Sequence, residues 1–198
     1  MAERLAGGNA AVALLANAVA TGGALIALIL TFGPISGAHF NPVVTLALWA
    51  RRRDGFGRAL AYVVAQIVGA ILGVWLAHAM FGLAIFETSS HMRGTFGEAI
   101  GEIVATFGLL GLILVGTRHA AASLPYGIAA YIVSAYWFTS STSFANPAVT
   151  LARSLTDTFA GIAPAHVPAF VAAEALGAVL AILVFGWLLA PSGAAAEK

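Results

Sequence analysis

One seven-residue pattern, present twice, constrains this chain more than anything else in it. Asn41-Pro42-Val43-Val44-Thr45-Leu46-Ala47 returns as Asn146-Pro147-Ala148-Val149-Thr150-Leu151-Ala152, with the asparagines 105 positions apart (146 less 41). Each copy has the grammar of a helix start. Asn is a preferred N-cap, and Pro is tolerated at the first helical position because its missing N–H would have no partner there. Each helix begun this way is short. From Pro42 to the polar break at Arg51-Arg52-Arg53-Asp54-Gly55 there is room for roughly 14 Å of helix, about half of a ~30 Å hydrocarbon layer. The pattern predicts two half-helices, about 42–51 and 147–156, each aiming its N-terminus at the middle of a membrane.

Composition supports the membrane setting. The chain is 61% hydrophobic and 9% charged, against roughly 25% charged residues in an ordinary soluble domain. With no cysteine, disulfides, thiolate metal sites and a Cys nucleophile are excluded. A net charge of +1 gives no reason to expect a nucleic-acid partner. The expected spans are Ala10 to Thr31, Leu60 to Phe81, Phe96 to Gly116, Leu124 to Phe138 and Val167 to Leu189, with Leu83 to Thr95 as an outer connection. Gly22, Gly23, Ala20 and Ala24 suggest close helix–helix contact in the first span. The fold class predicted is all-α: five transmembrane helices plus two re-entrant half-helices.

The chain also carries a longer repeat. Ala61-Tyr62-Val63-Val64-Ala65-Gln66-Ile67-Val68-Gly69-Ala70 is similar to Ala169-Phe170-Val171-Ala172-Ala173-Glu174-Ala175-Leu176-Gly177-Ala178. Each half (1–82 and 95–190 of a single domain, 1–198) has the order span, half-helix, span. An odd number of spans lies between the copies, so the halves have opposite orientation, an inverted repeat whose broken helices meet near the midplane. The span 96–116 lacks a full counterpart in the first half, from which a missing first transmembrane helix is expected. Arg51, Arg52, Arg53, Arg58, Arg118 and Lys198 fall on one side of this topology, and Arg4, Arg93 and Arg153 on the other. The excess puts the first half-helix and the C-terminus in the cytoplasm and brings the second half-helix in from outside. The Arg51–Arg53 cluster suits lipid headgroups.

The paired Asn-Pro half-helices, the lead-in Ser36-Gly37-Ala38-His39-Phe40-Asn41-Pro42 and the inverted repeat resemble the aquaporins, or major intrinsic proteins, over nearly the whole chain. The resemblance departs in the first of six spans and in Val43, where the motif is typically Ala. It implies a pore whose two motifs are Asn41-Pro42-Val43 and Asn146-Pro147-Ala148. Two helix N-termini, each worth about half a positive charge, would face each other at its centre. Asn41 and Asn146 would cap their own helices with the carboxamide oxygen and leave their NH2 groups free for a passing oxygen, which orients water against proton relay and repels cations.

By the same resemblance the outer selectivity filter comprises Thr21, Ser134, Ser143 and Val149. The position after the second motif is typically Arg and here is Val149, so the filter is expected to be wide and to contain neither cation nor aromatic ring. That points to solutes larger than water, either glycerol-like polyols or metalloid hydroxides such as arsenous acid. The stretch from Asn146 through Gly161 looks like a bacterial branch often associated with arsenic resistance. Arg153, one turn beyond Val149 on the same face, is expected in the outer vestibule. His39, Gln66, Glu102 and Glu174 are expected to support the irregular segments. The two carboxylates would accept backbone N–H bonds, and Gln66, matching Glu174, would do the same without charge. His39 would fix its loop or line the pore entrance. No metal, cofactor or catalytic constellation is expected. The function implied is passive passage of water and small neutral solutes through a multi-pass inner-membrane protein that assembles as a homotetramer. Proton-coupled transport using Glu102 or Glu174 and a non-conducting remnant are the rivals.

Overall fold

A computed structural model describes residues 1–52 and 55–190. Arg53, Asp54 and the tail from Pro191 to Lys198, on which part of the expected charge asymmetry rests, lie outside the described residues. Among those residues, the secondary structure is entirely helical: α1 (Ala2–Leu5), α2 (Ala10–Ser36), α3 (Pro42–Arg52), α4 (Phe56–Phe81), α5 (Phe96–His119), α6 (Leu124–Phe138), α7 (Pro147–Arg153) and α8 (Val167–Leu188), the last preceded by a 3-10 turn at Pro164–His166. Four segments, Ala10–Ser36, Phe56–Phe81, Phe96–His119 and Pro164–Leu188, are long and apolar enough to cross a membrane. The fifth expected span, α6, has 15 residues, about 22 Å of helix, and the chain then turns at Thr139–Thr142 and runs without regular structure to α7.

The helix ends follow local chemistry. Asn9 caps α2 by accepting from the N–H groups of Ala11 and Val12. Thr95 and Glu98 form a capping box at the start of α5. Pro34 does not end α2, contrary to the expected boundary near Thr31; the helix runs to Ser36 and stops at Gly37, whose φ of 79° suits a residue without a Cβ. The second half-helix is shorter than expected: α7 stops at Arg153, where Ser154 and Leu155 tighten into i→i+3 bonds.

α5 packs along α8 and α2 along α6, while the half-helices α3 and α7 lie between them and α4. Glycine sets the tightest approach. A Cβ on Gly177 of α8 would stand 2.5 Å from the Ile103 carbonyl oxygen of α5. On α2 the close face is Ala13, Ala18 and Gly22, all buried, with Gly22 against Val133. Gly23, Ala20 and Ala24, expected in the same contact, point away and are exposed. The core is centred on Val43, Val44, Ala47, Ala105, Leu109, Leu110 and Ala145.

The central pore and its outer mouth

The two half-helices meet at their N-termini through a reciprocal pair of hydrogen bonds. Asn41 Nδ2 donates to the Ala145 carbonyl at 2.7 Å. Asn146 Nδ2 donates to the Phe40 carbonyl at 2.9 Å. Each Asn Oδ1 caps its own helix, accepting from Val43 N in one case and from Ala148 N and Val149 N in the other. The amides are therefore not wholly free. One of the two N–H bonds on each Nδ2 is committed to the opposite segment, and one remains for a solute.

The accepting carbonyls belong to strained backbone. Ala38 and Phe40 have φ of 48° and 47°; Ser143 and Ala145 have 51° and 48°. These are the third and first residues before each Asn, so the same left-handed alternation is built twice. A side chain in that region costs on the order of 1 kcal/mol or more. In the second half Glu102 offsets the cost. Its two oxygens accept from Phe144 N at 2.8 Å and Ala145 N at 2.7 Å. Glu174 Oε1 adds bonds from Asn146 N at 3.0 Å and the Thr150 hydroxyl at 2.6 Å. Both carboxyls are fully buried.

Gln66 occupies the corresponding place in the first half but bonds differently. Its Nε2 donates to the Thr45 hydroxyl at 2.9 Å, and it takes no backbone N–H. Its acceptor, Oε1, is buried without a partner. His39 Nδ1 lies 3.1 Å from the same Thr45 hydroxyl, and its ring packs on Tyr62.

A cavity of about 260 Å³ runs past both asparagines. Leu124, Ile128 and Ile132 line it toward the ends carrying Arg51 and Arg118, and Thr21, Tyr136 and Arg153 toward the other end. Ser143 and Val149 line it as well. Ser134 does not: it is exposed, and its hydroxyl donates to Ala130 of its own helix. The resemblance places Ser134 in the filter; the cavity face of α6 instead steps through Ile128, Ile132 and Tyr136 at intervals of one turn. On this lining Arg153 Nη2 donates to Tyr136 Oη at 3.1 Å.

At the mouth, two guanidinium groups share one ring. Arg153 Cζ lies 4.2 Å from the Phe144 centroid and Arg93 Cζ 5.2 Å. Arg93 spends its donors on the carbonyls of Gly161, Phe159 and Ser141 and on the Thr142 hydroxyl. Burial, and then the neighbouring Arg153 charge, lower its pKa from the usual arginine range.

Two half-helices capped by asparagine, joined tip to tip inside a bundle of apolar helices and lining one central cavity, are the architecture of a polytopic membrane channel. The chain belongs to the major intrinsic protein family, whose match covers residues 2–139. It is 50% identical over 196 residues to Aquaglyceroporin AqpS of Rhizobium meliloti (strain 1021), spanning 97% of this chain and 82% of that one. It is 33% identical to mouse Aquaporin-5 over 90% of this chain and 71% of that protein, and 31% identical to human Aquaporin-5 over the same shares. The aquaporin-type all-helical fold and a multi-pass inner-membrane location follow.

Proposed function

We propose that this chain conducts water and small neutral solutes passively, and that solutes larger than water, glycerol-like polyols or neutral hydroxides such as arsenous acid, are among them. The observation that carries the reading is the cavity itself, whose lining includes both asparagines. Its walls are mostly apolar, with a few polar groups that give a hydroxylated solute a sparse line of partners. The name of the bacterial relative, an aquaglyceroporin, supports the polyol class.

The chemistry is that of passage, with no bond made or broken. Each half-helix N-terminus presents about half a positive charge to the pore centre. The remaining N–H of Asn41 and of Asn146 holds a passing oxygen there, so the water at that point has its oxygen turned inward and its protons outward. Cations are repelled by the same ends. Proton-coupled transport is disfavoured by the placement of the carboxylates: Glu102 and Glu174 are sealed behind the Phe144–Asn146 backbone and do not line the cavity. The chain acts as a channel rather than an enzyme, in a single domain spanning 1–198, and as one pore of a homotetramer.

Stopped-flow measurements on proteoliposomes test this. Water and glycerol permeabilities should both rise severalfold above those of empty vesicles and stay unchanged when a proton gradient is imposed. Accumulation against a gradient would establish coupled transport instead. Permeabilities equal to empty vesicles would make the chain a non-conducting remnant.

A further inference from the structure

We propose that the specificity-determining constriction is the Tyr136–Arg153 pair, one helical turn outward from Val149. This rests on the channel reading above. An outer vestibule of about 160 Å³, lined by Asn17, Arg93, Thr142 and Phe159 among others, adjoins the central cavity. Two residues line both spaces, Tyr136 and Arg153. A third hollow, beside α1 and the end of α4, also meets the central cavity at Arg153. The hydrogen-bonded pair thus lies between the central cavity and the outer vestibule, and Arg153 alone lies between that cavity and the third hollow.

The pair is held from several sides. Tyr136 is buried, and its hydroxyl stands 3.4 Å from the Thr21 hydroxyl, linking α2, α6 and α7 across the mouth. Phe144, the platform under Arg153, is itself fixed: its ring packs edge-on against Phe170 and its N–H is held by Glu102. Arg93 lies against the same ring with its donors occupied by backbone. Arg153, by contrast, has one hydrogen bond among the described residues, to Tyr136. Its other guanidinium N–H groups remain for the oxygens of a solute. Neither arginine has a carboxylate within salt-bridge distance among the described residues; Glu98 and Glu102 act on Arg93 only from further off. Arg153 therefore offers a hydroxylated neutral solute a fork of donors, and width at this level is set by how far the guanidinium swings from Tyr136.

Water and glycerol permeabilities of proteoliposomes carrying Tyr136→Phe, Arg153→Met and Ser134→Ala separate the possibilities. Tyr136→Phe keeps the ring and its packing while releasing the arginine. It and Arg153→Met should raise the glycerol-to-water ratio by about tenfold or more, the change expected when a hydrogen bond to a charged group is removed. Ser134→Ala should leave the ratio unchanged. A ratio unmoved by Tyr136→Phe, or moved by Ser134→Ala alone, overturns the assignment even if Arg153→Met fails to insert. An unsubstituted chain that passes neither solute sinks the channel reading and this proposal together.

Discussion

Glu102 and Glu174 are both buried carboxylates serving the same strained segment, yet they are not equivalent. Glu102 uses both oxygens, one on each of two successive backbone N–H groups. Glu174 uses one oxygen twice, and its Oε2 accepts from no N–H or hydroxyl, the nearest polar side chain it interacts with being Glu102. An amide can replace the second arrangement but not the first. Glu174→Gln can keep Oε1 in place and turn its NH2 toward the Oε2 position, much as Gln66 meets Thr45 with a single carboxamide. Glu102→Gln must set an NH2 against a backbone N–H, leaving a buried donor unsatisfied at a cost of about 1–3 kcal/mol. Thermal unfolding in detergent should therefore show a clear fall in midpoint for Glu102→Gln and a small one for Glu174→Gln. Equal losses would mean that charge, rather than the number of acceptors, is what the site needs.

At the scale of elements, much was legible in advance. The Asn-Pro pairs marked the starts of α3 and α7 because capping is local chemistry, and the apolar runs gave the long helices because backbone in lipid must bond within itself. Three things were not legible. Nothing about Ala38, Phe40, Ser143 or Ala145 as residue types announces a left-handed backbone; that conformation is imposed by the opposing half-helix and by Glu102. The face of α6 that meets the cavity could not be fixed from the motif at Asn146, because the connection between them turns and passes through left-handed backbone at Thr142, Ser143 and Ala145, and Tyr136 rather than Ser134 lines the cavity. Nor did spacing alone show which small residues of α2 touch a neighbour. The α5–α8 contact allows a direct check. Gly177→Ala would force a methyl into the Ile103 carbonyl and should cost about 1–3 kcal/mol as overpacking. Gly23→Ala, with open space around it, should be neutral or slightly stabilising, since Ala is the better helix former. A thermal midpoint unaffected by Gly177→Ala would show that α5 and α8 can separate freely.

Across the whole molecule, the outer face is tied together by short-range polar contacts from distant parts of the chain. Asp157, after α7, accepts from both the N–H and the hydroxyl of Ser90. His78, buried at the end of α4, lies 2.8 Å from the Thr156 hydroxyl. The two bonds from Ser90 hold the Asp157 carboxyl below the usual range. A depressed carboxylate pKa contributes stability that is present above the unfolded value and is lost as pH falls through the folded one. The 83–95 connection should therefore stay docked at neutral pH and loosen below about pH 4. The protection of the Ser90 amide, its exchange rate relative to that of a free amide at the same pH, should fall over that range in the natural chain, whereas Asp157→Asn should already show lower protection at pH 7; a protection unchanged by acid would rule out this tether. The crossed amide bonds at the pore centre have a temporal consequence. Phe40 and Asn146 are 106 residues apart in the chain, so during synthesis the leading stub reaches the bilayer long before its counterpart exists. Until then the Phe40 carbonyl lacks the asparagine amide that later meets it, and the lock at the pore centre closes only when ribosome and membrane insertion machinery have delivered the second stub.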